Sequence, residues 1–151
     1  MKITMKNCMK SVRFYITMIA VVFTTLSPDV SIADGSIIAH GTLTPAFSSW
    51  GKKSVKGSWK IVKEDQTYVI VLGDDFAAKN GPDVKVFLSP KNVIDIEGSN
   101  ATEGSLFVTQ ITQFKGQYRI ALPNDVNLDS YQSLVFHCEE YSKLWGMSPI
   151  Q

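Results

Sequence analysis

What most limits the fold of this chain is the length of its apolar runs. After Asp34 each run is short and is cut by Gly, Pro, Asn or Asp before a helical period can establish itself. Ile37 to Leu43, Ser58 to Val62, Thr67 to Leu72, Val84 to Leu88, Leu106 to Ile111 and Tyr118 to Leu122 are rich in β-branched and aromatic residues and predict strands. Tyr68-Val69-Ile70-Val71-Leu72 has no polar break, which predicts a central strand covered on both faces. Lys63-Glu64-Asp65-Gln66 reads as a hairpin connection, Ala46 to Gly57 as a loop, Phe76 to Lys79 as one helical turn, and Asn92 to Gly104 as irregular. With no internal repeat, the pattern implies a mainly β chain: an antiparallel β-sandwich or barrel-like single domain.

The first residues speak to compartment. Lys2, Lys6, Lys10 and Arg13 precede an uncharged, mostly apolar run from Phe14 to Leu26. That run is shorter than the roughly 20 residues a membrane-spanning helix needs. Pro28 and the small-residue pattern Ser31-Ile32-Ala33 follow, so residues 1–33 read as a signal peptide cleaved after Ala33, with the domain at 34–151. The alternative is an uncleaved anchor. Cys8 precedes the apolar run and is not placed like a lipidated cysteine. The expected location is periplasmic or secreted, in keeping with a bacterial export signal. Of fifteen basic and fourteen acidic residues, removal of this segment leaves eleven and thirteen. A charge near minus two offers no broad basic footprint for nucleic acid or anionic lipid.

Within the mature chain, attention falls on Tyr131 to Trp145. Its centre, Leu134-Val135-Phe136, has the composition of a buried strand and leads directly into His137 and Cys138. Once Cys8 is removed, Cys138 is a lone thiol in an oxidising compartment, where cysteines are usually paired or absent. Side chains alternate along a strand, so Leu134, Phe136 and Cys138 share one face while Val135, His137 and Glu139 share the other. If the Leu134 face is the core, Cys138 is buried. It is then a small hydrophobe, since apolar burial makes a thiol inert. A reactive thiol needs access and a positive neighbour. His137, Lys143 and the Lys52, Lys53 and Lys56 loop are the candidates, while Glu139 and Glu140 act against it. A metal site is the third reading. It requires His40 from the first strand, because His137 and Cys138 cannot reach one ion from a regular strand.

Asp75-Phe76, Asn80-Gly81-Pro82-Asp83-Val84-Lys85-Val86-Phe87-Leu88-Ser89, Lys115-Gly116-Gln117-Tyr118-Arg119-Ile120-Ala121-Leu122-Pro123 and Tyr131-Gln132-Ser133-Leu134-Val135-Phe136-His137-Cys138 occur in this order. Together they resemble the DM13 domain, over roughly Gly35 to Ile150. The resemblance implies a β-sandwich-like extracytoplasmic domain whose late cysteine, here Cys138, is the family hallmark. It also implies redox or electron-transfer chemistry, through a bare thiol or a bound group such as haem, with a redox or envelope protein as partner. For haem, Cys138 would be the axial thiolate and His137 or His40 a second ligand, although no Cys-x-x-Cys-His attachment motif is present. Relatives often carry an aromatic residue before the cysteine, where this chain has His137. The alternative function is a non-catalytic cell-envelope binding or structural module with Cys138 in its core.

Other chemistries find little support, and no catalytic constellation emerges. There is no Gly-x-Ser-x-Gly, and Gly73-Asp74-Asp75 is a turn rather than a phosphate loop. Asp74, Asp75 and Asp83 lack the spacing of a calcium loop and read as solvated turn residues. Trp50, Trp59 and Trp145 could line a sugar-binding face, but tryptophans more often pack in cores or at rims. Asn100-Ala101-Thr102 fits a glycosylation acceptor, relevant only in a eukaryotic host.

Overall fold

The computed structural model describes residues 35–46 and 55–150. Cys8, the Ala33 cleavage site, Trp50, Lys52 and Lys53 lie outside the described residues.

The described residues form nine strands: β1 (Ser36–Pro45), β2 (Val55–Glu64), β3 (Thr67–Leu72), β4 (Ala77–Ala78), β5 (Val84–Ser89), β6 (Leu106–Gln110), β7 (Tyr118–Ala121), β8 (Ser133–Cys138) and β9 (Lys143–Pro149). Single turns of 3-10 helix at Val93–Asp95 and Leu128–Ser130 complete the regular structure. The strand order is β6-β5-β8-β9-β1-β2-β3-β7, with β4 on β2. Every pairing is antiparallel. The two edge strands are consecutive in sequence, and the segment between them closes most of the gap. Ile111 donates its N–H to Val84 O (3.0 Å), while Phe114 O accepts from Ala78 N–H (2.9 Å) and Phe76 O from Gly116 N–H (2.9 Å). The result is a nearly closed antiparallel barrel, as the short-run pattern predicts, and closure removes most of the exposed edge.

Period-two alternation builds the interior. Ile70 and Leu72 of β3, Val84, Val86 and Leu88 of β5, and Leu134, Phe136 and Cys138 of β8 point into one core with Phe76 and Trp59. The Phe76 and Phe136 rings tilt against each other with centroids 5.9 Å apart. β3 is central, flanked by β2 and β7, and Val69 to Leu72 are all buried. The opposite face of β5 and β8 carries a second, smaller core of Phe87 and Val135, covered by Ile96 and Ala101 and packed against Leu144 and Met147. The irregular 92–104 stretch thus has a purpose: two of its apolar residues roof the sheet.

Four local expectations change. Phe76 to Lys79 is not a helical turn: Phe76 is buried in the core and Ala77–Ala78 pairs with Lys56 and Val55, so tertiary pairing overrides a weak local helix preference. Val55 to Gly57 belongs to β2 rather than to a loop. β1 runs on through Thr44-Pro45, which pair with Met147 and Gly146, so Pro45 occupies a strand end, where its missing N–H is tolerated. The hairpin turn tightens to Asp65-Gln66, with Asp65 at φ 50°, a left-handed position that aspartate tolerates.

One corner is pinned by a carboxylate. Asp75 accepts from the Ser58 hydroxyl (2.6 Å) and from Ser58 N–H (2.9 Å), tying the start of β2 to the turn after β3. The Ser58 hydroxyl, and next its backbone N–H, hold the Asp75 carboxyl below the ordinary value of 3.8. A carboxylate depressed in the fold adds stability that is complete above its unfolded value and lost as pH falls through the folded one. We therefore expect urea midpoints to drop as pH is lowered below about 3.8. Asp75→Asn should flatten that part of the profile, as measured by urea titrations at stepped pH.

Candidate functional site

Cys138 ends β8, between Val84 on β5 and Lys143 on β9. Its exposure is 0%, and it lies in the main core on the same face as Leu134 and Phe136. The alternation read from sequence therefore applies with the Leu134 face inward. Cys138 is free, and the chain turns sharply beyond it through Glu139 to Ser142, all exposed, with Ser142 at φ 46°. The pairing of β8 with β9 shifts register between Phe136 and His137. Phe136 faces Gly146 and His137 faces Leu144, which leaves Trp145 as the extra residue of a bulge. Its indole Nε1–H donates to Lys79 O (2.8 Å), fastening the half-buried ring beside the main core.

His137 faces the other way. It is 4% exposed, and its Nε2 lies 2.9 Å from Gly98 O. A carbonyl only accepts, so Nε2 carries the hydrogen it donates there, while Nδ1 is buried with no partner among the described residues. Gly98 fits because it lacks a side chain: a Cβ there would lie 2.7 Å from Ser142 O. His137 thereby links the 96–99 segment to the strand that carries Cys138.

The predicted site residues are therefore not brought together. Cys138 and His137 are neighbours in sequence on opposite faces of β8. His40 is exposed on β1 opposite Lys60, separated from β8 by β9 in the sheet order. Lys143 is the proposed activator that lies directly across from Cys138, whereas Lys56 is exposed on β2 opposite Ala77. The charge of Glu139 is met by Lys85, which hydrogen-bonds to it and sits 3.2 Å from Asp83. These hydrogen bonds, Glu139 first and Asp83 second, hold the Lys85 ammonium above the ordinary lysine value.

This arrangement does not fit an axial Cys/His pair for haem. The sulfur is packed into the core and the imidazole is committed to Gly98 on the far face of the sheet. Among the described residues no group of three or more His, Cys, Asp and Glu side chains gathers as for a metal ion. Trp59 is in the core, so it presents no face to a sugar. The Asn100 side chain is spent locally: Oδ1 accepts from Glu97 N–H (2.8 Å) and Nδ2 donates to Asp95 O (3.0 Å).

Sequence reasoning missed the outer surface of this corner. A cleft of about 700 Å³ lies between Ile96–Ser99 and residues 142–147, lined by Ile96, Glu97, Gly98, Lys143, Leu144 and Met147 among others. The short apolar run Leu144-Trp145-Gly146-Met147, which extends past the Tyr131 to Trp145 stretch, was the faint signal of β9. The roof residues Ile96 and Ala101 gave none.

No curated protein and no solved structure matches the chain. A family model described as "Electron transfer DM13" matches residues 46–150, from the end of β1 through β9 and including Cys138. That match covers most of the chain, in agreement with the order of motifs, and the chain belongs to the DM13 family of electron-transfer domains.

Proposed function

We propose that the chain is an exported electron-transfer accessory domain whose redox group is the Cys138 thiol, buried at rest and reached by local opening of the β8–β9 corner. Family membership supports the electron-transfer part of this reading. The basic start, the apolar run and the Ala33 site support export to a periplasmic or secreted location. The observation that carries the thiol part is the position of Cys138 in its strand. It is the last residue of β8, so exposing the sulfur requires loss of the terminal rungs to Val84 and Lys143 beside an exposed turn, not of the whole sheet. Proteins open locally with free energies from about zero to the global value, and strand ends next to turns belong to the lower range.

In the open form the Cys138 thiol gives up its proton and the thiolate attacks a disulfide of an envelope partner. One sulfur–sulfur bond breaks and a mixed disulfide forms. The partner's second sulfur leaves as thiolate and takes up a proton. Cys138 is thereby oxidised and the partner sulfur reduced. With Cys8 removed, the chain holds no second thiol, so a thiolate of a second, dithiol partner attacks the Cys138 sulfur and frees the first partner as its dithiol. The second partner's other thiol then attacks its own sulfur in the new mixed disulfide, which releases Cys138 as the thiol and leaves the second partner as the disulfide.

The test is the denaturant dependence of Cys138 labelling by a disulfide reagent under native conditions, with Cys138→Ala as the blank. Local opening predicts labelling whose slope in urea is well below the global m-value, and a mixed disulfide recovered by mass. Labelling that tracks only global unfolding would sink the thiol reading. The zero exposure of the sulfur would then favour the second reading, a non-catalytic envelope binding or structural module with Cys138 as a core residue.

A further inference from the structure

The cleft on the outer face of the β8–β9 corner is half open to solvent and large enough to take a small ligand. Its volume of about 700 Å³ lies within the ~300–1,000 Å³ usual for such sites. Ile96, Leu144 and Met147 give it an apolar floor that is continuous with the second core. Its two walls carry one residue of each charge: Glu97 on the 96–99 segment and Lys143 at the start of β9.

What matters about those charges is their place on one cleft. Lys85, Lys91 and Arg119 are matched with Asp83, Glu139, Glu103 and Glu64, while Lys60, Lys115 and Asp125 are among the described surface charges that form no ion pair. Glu97 and Lys143 form no ion pair with any described residue, or with each other, although both line one cleft. Two unpaired, opposite charges flanking an apolar floor complement a molecule that carries both charges and an apolar body.

The Glu97 wall is also held rigidly, which lowers the ordering cost of binding. Glu97 N–H is taken by Asn100 Oδ1 (2.8 Å), Gly98 O accepts from His137 Nε2–H (2.9 Å), and Gly98 presses against the Ser142 carbonyl where no Cβ would fit. His137 thus acts on the cleft from behind, through a backbone carbonyl.

We propose that this cleft binds a small zwitterion with an apolar side group, a free amino acid or a short peptide. The ligand's ammonium is met by Glu97, its carboxylate by Lys143 and its side chain by Leu144 and Met147, while His137 is a positioning residue for the Glu97 wall. The proposal is independent of any reaction at Cys138 and survives or fails without it.

The experiment is a heteronuclear NMR titration of the exported chain with L-leucine, with L-leucyl-L-leucine, and with N-acetyl-L-leucine amide, which lacks both charges. Either zwitterion should shift the amides of 96–99 and 143–147, and the capped compound should not. Response to L-leucine alone assigns a free amino acid; response to the dipeptide alone assigns a peptide. Glu97→Gln and Lys143→Gln, both surface changes, should each weaken binding about tenfold, the scale of one charge-assisted hydrogen bond. His137→Gln, whose amide can still donate to Gly98 O, should retain binding that His137→Phe loses. Absence of shifts up to roughly 10 mM ligand, weaker than the feeblest useful affinities, overturns the proposal. So does equal binding of the capped compound, or indifference to both charge substitutions.

Discussion

Phe136→Ala is expected to destabilise the domain by about 3–5 kcal/mol, the range for truncating a fully buried phenylalanine. Phe136 has no exposed surface, stands between Val86 on β5 and Gly146 on β9, and meets the Phe76 ring at 5.9 Å. Its glycine neighbour on β9 has no side chain to move into the vacancy, so little of the lost volume can be recovered and the cost should fall in the upper part of that range. Domains of this size have about 5–15 kcal/mol of stability, so about a fifth or more would be lost, with Tm lowered by roughly 10–25 °C. Urea unfolding followed by tryptophan fluorescence would measure it. Cys138 lies two residues along the same strand face, so thiol labelling under native conditions should quicken in the same variant. A loss under about 1 kcal/mol would mean that the barrel interior is not packed around this ring.

Gly57→Ala is the second large effect, and it works through the backbone. Gly57 has φ +120°, which an alanine adopts only under strain. An added Cβ would also lie 2.5 Å from Phe76 Cα and 2.8 Å from Phe76 N. Those atoms cannot yield cheaply: Phe76 N–H donates to Gly73 O (3.0 Å), Phe76 O accepts from Gly116 N–H (2.9 Å), and the next residue, Ser58, holds Asp75. Backbone strain and overpacking each cost about 1–3 kcal/mol, so a combined loss of roughly 2–6 kcal/mol is expected. The readouts are the urea midpoint and, in NMR spectra, displacement of the Phe76 and Ala77 amides. Unchanged spectra with an unchanged midpoint would mean that β2 and the Phe76 corner are not in this contact.

The consequences of these two changes meet at one place. Phe76 is pinned from below by Gly57 and packs against Phe136, and Phe136 shares its strand face with Cys138. Stability of the barrel interior and access to the sulfur are therefore linked. A variant that loosens the phenylalanine pair should make a thiol-based reaction easier before it unfolds the domain.

The strands of the barrel wall were legible because their evidence is local. Val84 to Leu88 and Tyr68 to Leu72 carry their β signature in their own side chains, and each lies within an observed strand or one residue beyond its end. β9 was not legible. It contains Gly146, Ser148 and Pro149, poor strand formers whose pairing is imposed by β8 on one side and Thr44-Pro45 on the other. β4 was misread for the same reason, since two alanines become strand only through the contact of Val55 and Lys56.

For the candidate site, the sequence alone determined that Cys138 and His137 point to opposite sides of one strand, because alternation follows from backbone dihedral geometry. Which side is the interior was decided by the tertiary structure, for that depends on which strands lie across from β8 and on a roof contributed by residues some forty positions away in the chain. The carbonyl that accepts from His137 Nε2, the register shift that frees Trp145 and the placing of two opposite charges on one cleft are likewise long-range facts. They arise from contacts whose sequence separation no local pattern encodes.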